Sequence, residues 1–503
     1  MSLSKGVRDL KDLKEIMSFC CDELSRCVPD RHRLSKSCSL QQILCFSLSL
    51  CFLLITIHVA PTRAEDGQVQ RLVISSQNFK VYKNSLSPEL GQLVRDGVFS
   101  FKVKGEVDLP WHLGEAWESR PVNSPKEISS FSDLLGYPYG GSDQLSRLSD
   151  PKDLAQAVLW NGEAALSIAN LRVELLDVDL YNNGKFSRSL KLESSRIYPG
   201  AVDSAAPKSQ LFRERLAIRS PETIAGSAVR SFRFFGLTED LLWMDSRAIA
   251  RTFQLTGSNR SDDLFHLPMA LDDLYVWNGK IENLTATSSS TDKLYLPFAE
   301  QEILQGREEG GCIFYNQSVE DGGSDSSIES VRISPWATFA RTNSLVLRDV
   351  WRLELLSNDS FYQFGRQILL VDKESHLPIS RLVYDRAGTP RRLILGGLAL
   401  VEFSGERFPV YSSIVIHDYQ RDETVLITLN SAQLCNKGVS AKDFERFNQP
   451  TPKTTPSASE VKQEVVSEGG VVNVEGDKND TSDKNDTVDL LDRDSTSDST
   501  SGE

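Results

Sequence analysis

The 503-residue chain is 40% hydrophobic and carries 56 basic against 70 acidic residues, a formal charge of −14. That is enough apolar material for one large or two ordinary domains, and the charge argues against the basic face that nucleic-acid binding requires. The acidity is concentrated at the end, where residues 451–503 hold 13 acidic and 5 basic residues.

The first distinctive segment is Ile43–Val59, a 17-residue uncharged apolar run. Arg31, Arg33 and Lys36 precede it, and Pro61-Thr62-Arg63-Ala64 follows. A basic flank, an apolar run and a small residue describe a secretory signal over residues 39–64, cleaved after Ala64. The alternative is an uncleaved anchor formed by residues 43–59, with the basic flank on the cytoplasmic side. Residues 1–38 are an atypical extension, long for a signal and outside the fold; a start downstream of Met1 would explain them. Six of the eight cysteines precede residue 60, without a CxxC pair or histidine ladder, so no zinc module is expected. Cys312 and Cys435 remain. In an oxidising compartment they are candidates for one disulfide; otherwise they are two buried thiols.

Strand signals dominate from residue 66. Val98–Val107 alternates like a half-buried strand. Residues 136–161 read as a glycine-rich turn and a short helix, with Asp150 as N-cap and Pro151 in the first turn. Leu171–Leu180, Ala228–Phe235, Asp240–Met244, Val350–Leu356, Gln367–Asp372, Ile379–Asp385, Arg391–Phe403, Tyr411–Asp418 and Glu423–Leu429 all read as strands. In Val350–Leu356, Trp351, Leu353 and Leu355 share one face. Asp385-Arg386-Ala387-Gly388 is a hairpin turn. Gly310-Gly311 and Gly396-Gly397 read as a turn or bulge, Ser318–Ser330 as a loop, and Val439–Phe447 as a last short helix. Without long helices alternating with strands, Rossmann and barrel α/β folds are disfavoured. The pattern is mainly β with few helices: one large antiparallel sheet, strongly curved or closed. The folded domain is expected over 66–448 and a disordered acidic tail over 449–503. Six glycosylation sequons occur, at Asn259, Asn283, Asn316, Asn358, Asn479 and Asn485.

Residues suited to catalysis are sparse. His112, His266, His376 and His417 are scattered, and neither HExxH, GxSxG nor a P-loop occurs. The tail's repeated Lys-Asn-Asp-Thr lacks the glycine of an EF-hand loop. No cofactor and no metal is expected. The densest stretch is 240–283, with acidic doublets Asp262-Asp263 and Asp272-Asp273 among aromatics. The doublets could form a general acid–base pair, but their turn-like surroundings favour capping or pairing with nearby arginines, Arg247 and Arg251 being candidates. The aromatics Phe232, Phe234, Trp243, Phe253, Phe265, Tyr275 and Trp277, with Trp351, are either core or the wall of an apolar ligand cavity.

The same stretch resembles the domain of unknown function family 1329, of the outer-membrane lipoprotein-sorting, lipoprotein-carrier-like superfamily. The matching residues are Asp240 and Trp243, Arg247 and Arg251, Ser261-Asp262-Asp263-Leu264-Phe265, Asp272-Asp273 and Gly279-Lys280. Weaker matches are Tyr137-Pro138-Tyr139 with Asp150-Pro151 and Trp160-Asn161, and Ile368–Arg392 with Tyr384-Asp385 and Gly388. The resemblance spans about residues 70–448. Two departures are the thinned arginine cluster and His266-Leu267-Pro268 where the family carries Gly-Ser-Asp. The resemblance implies a half-barrel of antiparallel strands enclosing a helix or lid, in an exported, periplasmic or envelope-associated protein. It implies a non-catalytic protein that carries or senses a lipid or lipoprotein acyl chain in the concave face, with an inner- or outer-membrane protein as further partner. The alternatives are a ligand-free accessory subunit of an envelope complex, or a hydrolase using the Asp pairs.

Overall fold

The computed structural model describes residues 72–104, 128–134, 138–202, 206–317 and 334–439. The apolar run, Ala64, the loop at 318–330, all but the first residue of the helix expected over Val439–Phe447, and the tail lie outside these residues, as do Tyr137, His112, Asn479 and Asn485.

Strands β1 (Val73–Ile74) and β2 (Phe101–Lys102) form a small separate ribbon. Of the strand expected over Val98–Val107, only this short piece forms within the described residues; the chain leaves it after a single bridge from Val103 to Leu345. The remaining strands are β3 (Leu171–Asn182), β4 (Lys185–Ile197), β5 (Gln210–Ser220), β6 (Ala228–Phe234), β7 (Leu241–Ser246), β8 (Arg251–Leu255), β9 (Leu284–Gln305), β10 (Arg307–Glu309), β11 (Cys312–Asn316), β12 (Asn343–Ser357), β13 (Phe364–Asp372), β14 (Pro378–Asp385), β15 (Pro390–Phe403), β16 (Glu406–Asp418) and β17 (Glu423–Cys435). They make one 15-stranded sheet, ordered β14-β13-β12-β9-β15-β16-β17-β3-β4-β5-β6-β7-β8, with β11 against β17 and β10 against β11. Every pairing is antiparallel except β9 with β15. The large antiparallel sheet expected from the strand spacing is therefore present.

One end of the sheet closes on itself. The first half of β15 pairs β14 and its second half pairs β9, so β9, β12, β13, β14 and β15 form a ring. The changeover falls at Gly396-Gly397, where β15 also bulges against β16. Asn343 fills the gap, its amide donating to Phe339 O and Ser413 Oγ at 2.9 Å each. Its side-chain oxygen occupies the place a Cβ would take on Gly397. Gly310 and Gly311, both with positive φ, make the tight β10–β11 turn. Next to it Cys312 and Cys435, directly opposed on β11 and β17, are joined in a disulfide.

Both faces of the central strands are covered. Leu176, Val178 and Leu180 of β3, Ile414 and Ile416 of β16, and Ile427 of β17 face the main core. The opposite face carries Leu393, Leu395, Val415 and Leu426, under helices α1 (Pro88–Arg95) and α3 (Pro335–Thr342). On the main-core face lies α2 (Pro151–Leu166), whose Asp150 cap accepts from the amides of Lys152 and Asp153. It continues past the expected short helix because Glu163-Ala164-Ala165-Leu166 are strong helix formers and the last three bury their side chains, which outweighs the cost of Gly162. Gly162 lets α2 approach the β13–β14 turn, where a Cβ would come 2.7 Å from the His376 carbonyl.

His376 is fully buried with φ of 57°, and burial, against the pull of Asp372, lowers its pKa to about 4. A folded pKa below the unfolded value gives stability that is complete above the ordinary pKa near 6.5 and lost as pH falls through 4. The size is about 3 kcal/mol for a shift of this extent. Replacing His376 with asparagine, which tolerates positive φ, should flatten this part of the acid limb. Denaturation midpoints at pH 7 and pH 4 for both proteins check it; parallel acid limbs would refute the assignment.

Candidate functional site

Between β8 and β9 the chain leaves the sheet edge and runs back across its main-core face. This segment, residues 256–283, contains three 3-10 turns at Gly257–Ser261, Leu271–Asp273 and Ile281–Asn283. Residues 267–281 are buried throughout. The segment bends at Phe265-His266 and Tyr275-Val276, all four with positive φ. A β-branched valine in that region is strained, and such strain persists only where the surroundings hold it. Here they do. Tyr275 OH donates to Glu174 at 2.9 Å on β3, and Val276 O accepts from Arg381 at 3.4 Å on β14.

Buried charges fasten the segment at both ends. At one end Asp273 accepts from Arg381 at 2.9 Å and Arg392 at 2.6 Å, and its other contact, from Ala270 N at 2.7 Å, closes its own turn. Arg392 also reaches Asp263, which Arg421 joins at 2.6 Å. At the other end Arg260 donates to Asp272 at 2.7 Å, to Ser231 of β6 and to Asn278 O at 3.2 Å. Arg233 of β6 binds Asp240 at 2.6 Å and Gly279 O at 2.7 Å. Asn278 bridges Arg196 of β4 at 2.6 Å and Glu214 of β5 at 3.1 Å, and those two pair at 2.7 Å. Asp273 is thus paired with sheet arginines more than 100 residues away, while Asp272 pairs with Arg260, twelve residues before it in the same segment. Arg247 and Arg251, the arginines expected to serve, flank the β7–β8 hairpin turn. Asp262 lies at the rim, bonded to Asn259 and Gln363.

Two neighbouring acids in this network differ. Burial raises the pKa of Asp272 in spite of Arg260. Burial works the same way on Asp240, but Arg233 and Lys280 overcome it and leave its pKa below the usual range. Lys280, whose pKa burial lowers, donates to Phe234 O at 2.6 Å, Thr238 O at 2.8 Å and Asp240 at 3.1 Å.

A cleft of about 290 Å³ opens between this end of the segment, the β6–β7 turn and the β12–β13 loop. Trp277, Leu284 and Tyr362 form apolar wall, Asp240, Arg260, Asp272 and Lys280 lie at its base, and Leu237 and Phe361 border it. Leu237 is 85% exposed and Phe361 83%. Gly279 also lines it; an added Cβ there would lie 2.9 Å from three atoms of the Trp277 ring. A second cavity, against Tyr275, Tyr411 and Glu174, holds only about 20 Å³. Of the eight candidate wall aromatics, Trp277 lines the cleft and Tyr275 the small cavity. Phe232 and Trp243 stack edge-to-face across β6 and β7, centroids 5.0 Å apart. Phe253 is exposed on β8, Phe234 and Phe265 are half-buried, and Trp351 is core on β12. Among the described residues no three His, Cys, Asp or Glu side chains are grouped to hold a metal, and no helix is long and apolar enough to cross a membrane.

No family model matches the chain, and no curated protein matches it. Among solved structures it is similar to a domain assigned to outer-membrane lipoprotein sorting from Vibrio parahaemolyticus (12% identity, 59% of this chain, 97% of that one, TM-score 0.39). It is also similar to a DUF1329 family protein from Desulfovibrio piger (11%, 59% and 98%, TM-score 0.39) and to a LolA superfamily protein from Nitrosomonas europaea (12%, 56% and 93%, TM-score 0.31).

Proposed function

We propose that the protein is an exported, non-catalytic binding protein that carries or senses an acyl lipid, and that the ligand lies in the cleft beside the inserted segment. One observation carries the reading: two large apolar side chains, Leu237 and Phe361, stand almost fully exposed at the border of one cleft whose wall includes an aromatic plane. Exposed apolar groups gathered at a concavity mark binding surfaces more often than isolated ones do. The middle of the sheet is a poorer place for a lipid, because α2 and residues 256–283 already occupy that face. Absence of catalysis is supported by the carboxylates themselves. Asp240 and Asp272 are held by arginine, lysine and tyrosine hydrogen bonds, which oppose service as a general base. Export rests on the signal-like residues 39–64.

The filled face also favours a second reading, a ligand-free accessory subunit. Native mass spectrometry of the exported protein, with extraction of any bound lipid, separates the two. In solution, a fluorescent acyl ester should bind the wild type, and Leu237→Asp with Phe361→Asp should weaken it by tenfold or more, with an unchanged circular dichroism spectrum. A protein that carries no lipid and binds no probe is the accessory subunit.

A further inference from the structure

Resting on that reading, we infer that the cleft selects a neutral carbonyl oxygen, such as the ester of an acylated glycerol, through the Trp277 indole N–H and the Gln367 amide. Trp277 is 6% exposed and Gln367 fully buried, and both line the cleft. Neither Trp277 Nε1 nor Gln367 Nε2 has a hydrogen-bond partner among the described residues. Of the buried side-chain polar atoms in that condition, these two alone belong to residues lining the cleft. A buried donor without an acceptor is costly, so two beside one concavity point to an acceptor supplied from outside, which reaches these solvent-shielded nitrogens as the side chains around them give way. The indole nitrogen can only donate. The orientation of the glutamine amide is fixed as well, because its oxygen accepts from Arg381 Nε at 2.9 Å and leaves the NH₂ as the free end.

Charge indicates that the acceptor is neutral. Glu239, Asp240, Asp272 and Asp359 line the cleft against only Arg260 and Lys280. Both cations are committed elsewhere: Lys280 to two carbonyls and Asp240, Arg260 to Asp272, Ser231 and Asn278. An anionic headgroup would meet excess negative charge and would have to break these pairs. An ester or amide carbonyl needs only the two free donors, and its acyl chain would run toward Leu237 and Phe361.

The test uses the full exported chain and three probes of equal carbon number: a fatty acid methyl ester, the free fatty acid and the n-alkane. Displacement of a fluorescent acyl probe should rank the ester about tenfold tighter than the alkane, with the carboxylate weaker than the ester. Trp277→Phe and Gln367→Met should each abolish most of the ester's advantage, read as the ratio of ester to alkane affinity within each variant. Because Gln367→Met also frees Arg381, the indole N–H resonance of Trp277 is followed in the wild type, where it should move downfield with the ester and not with the alkane. Equal affinity for ester and alkane, tighter binding of the carboxylate, or an unmoved indole resonance overturns the proposal while acyl binding stands. Failure of all three probes to bind removes the acyl-binding reading itself.

Discussion

Replacing Asp273 with asparagine is expected to lower the free energy of unfolding by about 3–5 kcal/mol, the usual cost of removing one partner from a buried ion pair. Asp273 is fully buried and serves two arginines, Arg381 and Arg392, that are fully buried themselves. Asparagine keeps the shape and the hydrogen bond to Ala270 N but removes the shared charge. Arg392 retains Asp263 and Asp418 nearby. Arg381 is left with Gln367 and the carbonyls of Asp272 and Val276, which are dipoles rather than charges. Urea denaturation should show a lower midpoint at unchanged slope, the signature of a stability change alone. Adding Arg381→Met should recover part of the loss, since the stranded charge is then gone. A cost under about 1 kcal/mol for Asp273→Asn, set against that range, would show that the pair does not hold the segment.

The parts of this fold that could be read in the sequence are those that bury apolar side chains in alternation or in runs. In β12, Trp351, Leu353 and Leu355 are buried as the period-2 pattern requires, whereas β14, β15 and β16 are buried on both faces and read as near-continuous apolar runs of strand-forming residues. Strands β4 and β5 escaped because their buried faces carry charge. Arg196 and Glu214 are directly opposed across β4 and β5 on one face, Glu193 is buried on the other face beside Arg215, and each is tolerated because the neighbouring strand supplies the opposite sign. β3 shows the same effect: Glu174 faces inward and Leu175 is exposed, since Arg172 and Tyr275 bond to that carboxylate. β9, the longest strand, was hidden by its Ser/Thr-rich first half and by Pro297, which falls near the point where the strand begins to change partners.

At the candidate site the acidic half was legible and the basic half was not. Asp240, Asp272, Asp273 and Gly279 stood out as a motif, and the structure brings them to one buried network. Their partners Arg233, Arg260, Arg381 and Arg392 come from β6, a turn, β14 and β15. No spacing rule links Arg381 and Arg392 to Asp273, more than 100 positions away, whereas Arg233 and Arg260 stand only 7 and 12 positions before Asp240 and Asp272, across irregular turns that no helical or strand period connects. The one available signal was the arginines inside apolar strands, at Arg381 and Arg392, where a charge without a partner would not be tolerated. Leu237 and Phe361 gave no sequence signal, because an exposed apolar residue in a turn looks like any other until the fold places two of them at one cleft.

Arg260→Met should cause an equally large loss, about 3–5 kcal/mol, but one that appears first as local opening. Arg260 holds Asp272, the β6 hydroxyl Ser231 and Asn278 O together, so its removal releases the cleft end of residues 256–283. The Asp273 end stays fastened to β14 and β15. Amide exchange should therefore accelerate in residues 256–283 well before β13–β16, in the manner of a sub-global opening, and affinity for the acyl probe should fall with the loss of the cleft wall. The pH dependence follows from Asp272, whose pKa burial already raises. Without Arg260 it rises further. A folded pKa above the unfolded one gives stability that is present below the unfolded pKa and lost as pH rises through the folded value. The gap between variant and wild type should accordingly narrow on acidification, as Asp272 takes up its proton and no longer needs a cation. Comparing both proteins at each pH cancels the acid sensitivity contributed by His376. A gap that is constant or widens toward acid would mean that Asp272 is not the group Arg260 neutralises.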